Sequence, residues 1–186
     1  MPRRSAWIRA AAVAATLAAT SAAAADARPW YVPDHAKLQL AGNVGFLSPG
    51  AGYALGRRVD GDLFLGWVPE AVGGDDVFSV TGKLTLSPWR LEAGRWRIRP
   101  FTAALQLTYT FGDSYFVIPD EPFTPTALRA ALGFGAAASV PVRGRKVGLY
   151  AELVALDVGL YYWLSNRDAL SPVDVFSVAL GVRVEL

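Results

Sequence analysis

The clearest pattern in the chain is an alternation of apolar and polar residues between positions 101 and 111. The odd positions are apolar and most even positions are polar: Phe101, Ala103, Leu105, Leu107, Tyr109 and Phe111 alternate with Thr102, Ala104, Gln106, Thr108 and Thr110. A period of two predicts an extended strand with one apolar and one polar face. A length of about eleven residues exceeds that of the usual soluble strand and suits a tilted strand that crosses a bilayer.

Seven further segments show the same rhythm. They are residues 37–46, 51–56, 62–68, 77–87, 128–140, 147–155 and 176–186. The Ser-Pro-Gly sequence at residues 48–50 predicts a tight turn between the first two segments. For the seventh segment three interpretations stay open: the strand ends near Ala155, a bulge carries it to about Tyr162, or residues 150–164 form a helix.

Eight alternating segments predict an all-β fold, a single antiparallel up-and-down transmembrane β-barrel over residues 28–186. Single-chain bacterial barrels have an even number of strands. A soluble lipocalin-type barrel also has eight strands. In water, however, an outer surface of Phe, Leu, Val and Tyr side chains would be a very large exposed apolar patch. The apolar face is therefore predicted to lie against lipid.

Residues 1–27 are predicted to be a cleaved signal peptide. Residues 1–9 carry three arginines and no acid, and an alanine-rich apolar run follows over residues 10–25. Small residues permit cleavage after Ala25 or after Ala27. The alternative is a membrane-anchor helix, but about sixteen residues of mostly alanine are short and weakly apolar for a span. Cleavage leaves enough chain for one domain.

Composition excludes several classes of site. The chain has no cysteine, which excludes a disulfide framework, thiolate catalysis and cysteine-based metal sites. The formal net charge is +2, and loss of the signal-peptide arginines leaves the mature chain about neutral. The charge therefore predicts no nucleic-acid partner, and no motif predicts a cofactor.

Charge is segregated between the two sets of predicted connections. One set is basic: Arg57, Arg58, Arg90, Arg95, Arg97, Arg143, Arg145 and Lys146. The other set is acidic apart from Arg167: Glu70, Asp75, Asp76, Asp113, Asp120, Glu121, Asp157, Asp168 and Asp174. With both termini in the periplasm, the basic turns lie on the periplasmic side and the acidic loops outside. Charge played no part in assigning the strands, so the segregation supports the assignment independently.

The signal peptide, the eight alternating strands and the apolar last residue are similar to those of small eight-stranded bacterial outer-membrane β-barrel proteins. In that family the last strand alternates apolar residues and usually ends on an aromatic one, whereas here the alternation runs from Phe176 to Leu186. The resemblance covers nearly the whole mature chain and is architectural, without a subfamily motif. It implies a bacterial outer-membrane location, membrane lipids and lipopolysaccharide as partners, and recognition of the last strand by the barrel-assembly machinery. A monomer is favoured.

The polar faces of the strands predict a charged barrel interior. Its candidate residues are Lys37, Asp62, Lys83, Arg129, Glu152, Arg183 and Glu185. An eight-stranded barrel is just wide enough to be filled by side chains, and buried charges must be paired. Closure of the last strand on the first predicts Glu185 near Lys37. Arg129, Lys83 and Arg183 are alternative partners of Glu152. A side-chain plug is favoured over a conducting pore.

The sequence favours a non-enzymatic barrel with a structural or surface-interaction role through residues 112–126 and 157–172. The alternative is a narrow pore or transporter for a small or lipidic ligand. A lipid-modifying enzyme is disfavoured, because the single histidine, His35, is predicted at the periplasmic edge as an interfacial or solvated residue. There it is out of reach of any outer-loop serine.

The acidic outer loops are a weak candidate for divalent cations. Their residues are Asp75, Asp76, Asp120 and Glu121. Carboxylate oxygens suit Ca²⁺ or Mg²⁺. The spacing fits no dedicated metal loop, so a solvated acidic surface is favoured.

Overall fold

A computed structural model describes residues 29, 31–73, 76–111, 128–165, 171 and 175–186. These residues contain nine strands and two helices. The strands are β1 (His35–Ala41), β2 (Leu47–Ala54), β3 (Val59–Val68), β4 (Val77–Leu86), β5 (Leu91–Ala93), β6 (Trp96–Phe111), β7 (Leu128–Val142), β8 (Arg145–Leu156) and β9 (Phe176–Glu185). The helices are α1 (Glu70–Gly73) and α2 (Asp157–Ser165). Neither helix of this described part is long and apolar enough to cross a membrane.

Eight of the strands close into an antiparallel barrel. Each pairs with its neighbour in the chain, β4 pairs with β6, and β1 pairs with β9 to complete the ring. Strand β5 is extra: it forms a short hairpin with the beginning of β6, where a turn was predicted. The prediction of an all-β, eight-stranded up-and-down barrel is confirmed. The barrel lies within one compact unit, Pro33–Glu185. The predicted signal peptide lies outside the described residues.

The connection between β1 and β2 differs from the prediction. Strand β1 ends at Ala41 instead of residue 46, and the predicted turn at residues 48–50 lies inside β2. The chain turns earlier because Ala41, Gly42 and Asn43 have φ values of 57°, 75° and 65°, which reverse its direction. Pro49 is tolerated in β2 because the β2–β3 ladder has no partner for it between Leu47 and Gly50.

The position where β8 ends decides between the three interpretations of the seventh predicted segment. Strand β8 ends at Leu156, close to the predicted end at Ala155. Helix α2 begins at the next residue. The interpretation of residues 150–164 as one helix was therefore wrong, because their first part belongs to β8. Asp157 opens α2, where a carboxylate is stabilised by the partial positive charge of the helix N-terminus.

A register shift in β6 changes which of its side chains point inward. The pairing with β7 is irregular between Arg99 and Thr102, at Pro100 and Phe101. Such a bulge reverses the alternation. Arg99 on one side of the shift and Thr102 on the other therefore both face the interior, where Arg99 contacts Asp60 and Thr102 is buried.

The two faces of the barrel wall differ as the pattern predicts. The inward side chains are mostly polar and buried. The outward side chains are large, apolar and exposed on all eight strands, with Leu38, Tyr53, Leu65, Leu84, Leu105, Leu132, Leu149 and Leu180 as one example from each. Polar residues therefore fill the barrel and apolar residues cover it.

Candidate functional site: the barrel interior

The predicted interior residues sit on strands from all sides of the barrel. Lys37, Asp62, Lys83 and Glu152 are buried, and Arg183 is nearly so. Glu185 lies half-exposed at the end of β9 and Arg129 is half-buried opposite Thr108. The structure brings the buried residues together into two groups of contacts, one near the start of β1 and one in the middle of the barrel.

The first group contains Asp60, which falls between the predicted segments 51–56 and 62–68. Its carboxylate accepts hydrogen bonds from Arg99 Nη1 at 2.7 Å and from Arg183 Nη1 at 2.6 Å. These residues lie on β3, β6 and β9, so the contacts span the interior from wall to wall. Asp60, Asp62 and Phe64 are alternate residues of β3, and all three are buried. Extending this alternation back from Asp62 would have identified Asp60 as an interior residue.

Asp62 completes the first group, in which it contacts the side chains of Lys37 and His35. Lys37 Nζ lies 2.6 Å from Asp62 Oδ2, and His35 Nε2 lies 2.6 Å from Asp62 Oδ1. Arg183 Nη2 lies 3.1 Å from His35 Nδ1. Because a guanidinium only donates, Nδ1 accepts and the ring proton is assigned to Nε2, which gives a neutral imidazole that donates to Asp62.

The prediction that His35 is interfacial or solvated was wrong. The residue is 0% exposed, and both ring nitrogens are engaged inside the barrel. The strand begins two residues earlier than predicted, which turns His35 inward in phase with Lys37.

The second group is centred on Lys83. Its ammonium contacts the Glu152 carboxylate and donates to Gln39 Oε1 at 3.1 Å. Tyr150 donates its hydroxyl to the same Gln39 oxygen at 3.1 Å. The ammonium also lies 5.7 Å from the Phe64 ring centroid and 5.4 Å from that of Tyr150, within reach of a cation–π interaction. Lys83 is thus surrounded in the middle of the barrel.

Glu185 lies two residues along β9 from the residue that faces Lys37, and it does not pair with Lys37. The closing ladder aligns His35 with Glu185 and Lys37 with Arg183, so Lys37 turns to Asp62. Glu185 instead pairs with Lys146 at 2.9 Å. Arg129 makes no ion pair with another described residue.

Glycines on the inner face make room for the large interior side chains. A Cβ atom added at Gly50 would lie 2.5 Å from the Phe64 ring, and one at Gly181 would collide with the Tyr150 ring. One added at Gly52 would meet Asp62, the Gly61 carbonyl oxygen, and His35 Nε2 at 2.8 Å. The interior is packed closely enough that a single methyl group does not fit at these positions.

We expect Gly52→Ala to destabilise the barrel by about 1–3 kcal/mol, because the new methyl group meets the neighbouring strand and the Asp62 contacts. The matched control is Gly82→Ala on β4, where an added Cβ has nothing within 4 Å. The measurement is the urea midpoint of unfolding in detergent micelles. Equal midpoints for the two variants would contradict the close packing.

The β1–β2 connection closes the opposite end. Val44 was predicted on the outer face, but it is 1% exposed, and its carbonyl accepts a hydrogen bond from the Ser79 hydroxyl. The Thr81 and Thr108 hydroxyls lie 2.7 Å apart just below it. Side chains and one turn of backbone thus cross the barrel near both ends and in its middle.

The predicted cation-binding residues are only partly described. Asp75, Asp120 and Glu121 lie outside the described residues. Asp76 Oδ1 accepts hydrogen bonds from the Glu70 amide at 3.1 Å and from Trp67 Nε1 at 3.3 Å, next to helix α1. Within the described ranges, no group of three or more His, Asp or Glu residues could hold a metal ion.

Comparison of the chain with protein-family models, with curated proteins and with solved structures finds no match.

Proposed function

We propose that the mature chain is a bacterial outer-membrane β-barrel with a side-chain-filled interior and a non-enzymatic, structural or surface-interaction role. The observation that carries the proposal is the outer face. Leu65 on β3, Leu105 on β6 and Leu149 on β8 are 58%, 47% and 67% exposed, and equivalent residues cover every wall strand. Soluble monomers rarely expose such a continuous apolar surface, whereas barrels in lipid require it.

The filled interior supports a barrel that does not conduct. The Arg99–Asp60–Arg183 contacts cross it near one end, Lys83 occupies its middle, and Val44 covers the other end. A narrow pore would need a continuous wet path past these groups. The contacts of His35 support the non-enzymatic role, because its accepting nitrogen, Nδ1, is occupied by Arg183, and a general base needs that nitrogen for the proton it removes.

Membrane lipids and lipopolysaccharide are the proposed partners of the outer face, and the barrel-assembly machinery that of the last strand. The alternating β9, with Val178, Leu180 and Val182 outward, is the element that the machinery would recognise. The proposed location rests on the barrel architecture together with the export signal predicted at residues 1–27.

The decisive test is refolding from urea into detergent micelles or phospholipid vesicles, followed by electrophoresis with and without boiling. We expect the unboiled sample to migrate differently from the boiled one, because a closed barrel in a membrane mimic resists the gel detergent. An unchanged band would count against a membrane barrel.

In planar bilayers we expect the refolded protein to give no steady conductance of nanosiemens size, because charged and aromatic side chains occupy the interior. Insertion is verified by the same gel assay on protein recovered from the lipid. A steady conductance of that size would favour the pore or transporter alternative.

A further inference from the structure

A small cavity opens at the end of the barrel where β6 and β8 begin. Its volume is about 40 Å³. Since a bound water needs roughly 10–15 Å³ by this measure, it has room for about three waters or one phosphate-sized group. Arg97 and Lys146 at its rim have side chains 32% and 41% exposed, whereas Lys37 and Glu152 at its inner end are buried. The cavity therefore leads from the surface into the charged interior.

The cavity lining carries more positive than negative groups. Five basic side chains line it, namely Lys37, Arg97, Arg99, Lys146 and Arg183, with two acidic ones, Glu152 and Glu185. Arg99 and Arg183 share a single acid, Asp60, as their ion-pair partner among the described residues. Among the residues that the structure describes, the two guanidinium groups therefore have one carboxylate between them, which favours a bound anion.

We propose that this cavity binds a phosphate-type oxyanion, either free inorganic phosphate or the phosphate of a lipid headgroup. The guanidinium groups of Arg97, Arg99 and Arg183 donate to its oxygens, and the excess charge of Arg99 and Arg183 supplies the attraction. Arginine suits this ligand because its planar donors match phosphate oxygens. The site does not depend on which membrane holds the barrel or on what its loops contact.

Titration calorimetry of the refolded full barrel in a nonionic, phosphate-free detergent tests the site. One arm uses inorganic phosphate and the other dihexanoyl phosphatidic acid, both at low salt, where surface charge is least screened. Saturable binding of both probes identifies the phosphate group itself as the ligand, and binding of the lipid alone identifies a headgroup site. If neither probe shows saturable binding, the proposal is overturned.

Variants separate the site from non-specific attraction. We expect Arg183→Gln to weaken binding about tenfold or more, because it removes a charge-assisted hydrogen bond. Arg97→Gln removes a more exposed donor at the rim and is expected to weaken binding about threefold. Asp60→Asn removes the shared acid and is expected to tighten binding, a gain that a damaged fold would not produce.

The matched control is Arg58→Gln, an exposed turn arginine outside the cavity lining, which should bind like the unaltered protein. Each variant is checked for folding by gel mobility before titration. If Arg183→Gln does not fold, the opposite effects of Arg97→Gln and Asp60→Asn decide the matter. Unchanged affinity in both would overturn the proposal.

Discussion

Glu152→Gln is expected to destabilise the barrel by about 3 kcal/mol, because it leaves the Lys83 ammonium buried without its acid. The Lys83 side chain is 0% exposed and that of Glu152 is 5% exposed, so the unpaired ammonium stays out of contact with water. Gln39 still accepts from Lys83, but a neutral acceptor compensates only part of a buried charge. The free energy of unfolding from urea titrations in micelles measures the effect.

Glu185→Gln is the matched control for this substitution. It changes the same chemical group in the Lys146 pair, whose side chains are 31% and 41% exposed, and is expected to cost less than about 1 kcal/mol. Adding Lys83→Met to Glu152→Gln should recover part of the loss, since the unpaired charge is then removed. Equal losses for Glu152→Gln and Glu185→Gln would show that the central pair contributes no more than a surface pair.

The positions of Lys83 and Glu152 inside the barrel follow from local sequence, because a strict two-residue period sends alternate side chains to opposite faces. Which residues meet across the interior does not follow from it. His35 contacts Asp62 and Arg183, which are 27 and 148 positions away in the chain. Such contacts depend on strand register and barrel closure, and the alternation of a single strand contains neither.

Two local irregularities of the strands could not be predicted from the alternation either. The alternation continues through Val44 and Phe46, but positive φ angles at Ala41 and Asn43, uncommon for residues other than glycine, end the strand first. The shift at Pro100 and Phe101 brings Arg99 inward to Asp60. A bulge adds one residue to one strand and needs no distinctive kind of residue, so the alternation alone does not show where it lies.

Leu105→Arg is expected to lower the stability of the barrel in phospholipid vesicles by about 2–4 kcal/mol, the cost of an arginine facing the middle of a bilayer. Leu105 is 47% exposed on β6 and lies between Leu84 of β4 and Leu132 of β7 in the paired strands. On a water-exposed surface the same substitution would change the stability by no more than about 0.5 kcal/mol. The sign and size of the effect therefore report what surrounds the barrel.

The control for this substitution is Leu91→Arg, at a residue 55% exposed in β5, the strand outside the barrel ring. Both variants are refolded into vesicles, and their urea midpoints are followed by the mobility of the folded band. We expect a large shift for Leu105→Arg and a small one for Leu91→Arg, because the cost of charge falls towards the edges of the bilayer. A Leu105→Arg barrel as stable as the unaltered protein would place the apolar belt in water, and the membrane proposal would have to be abandoned.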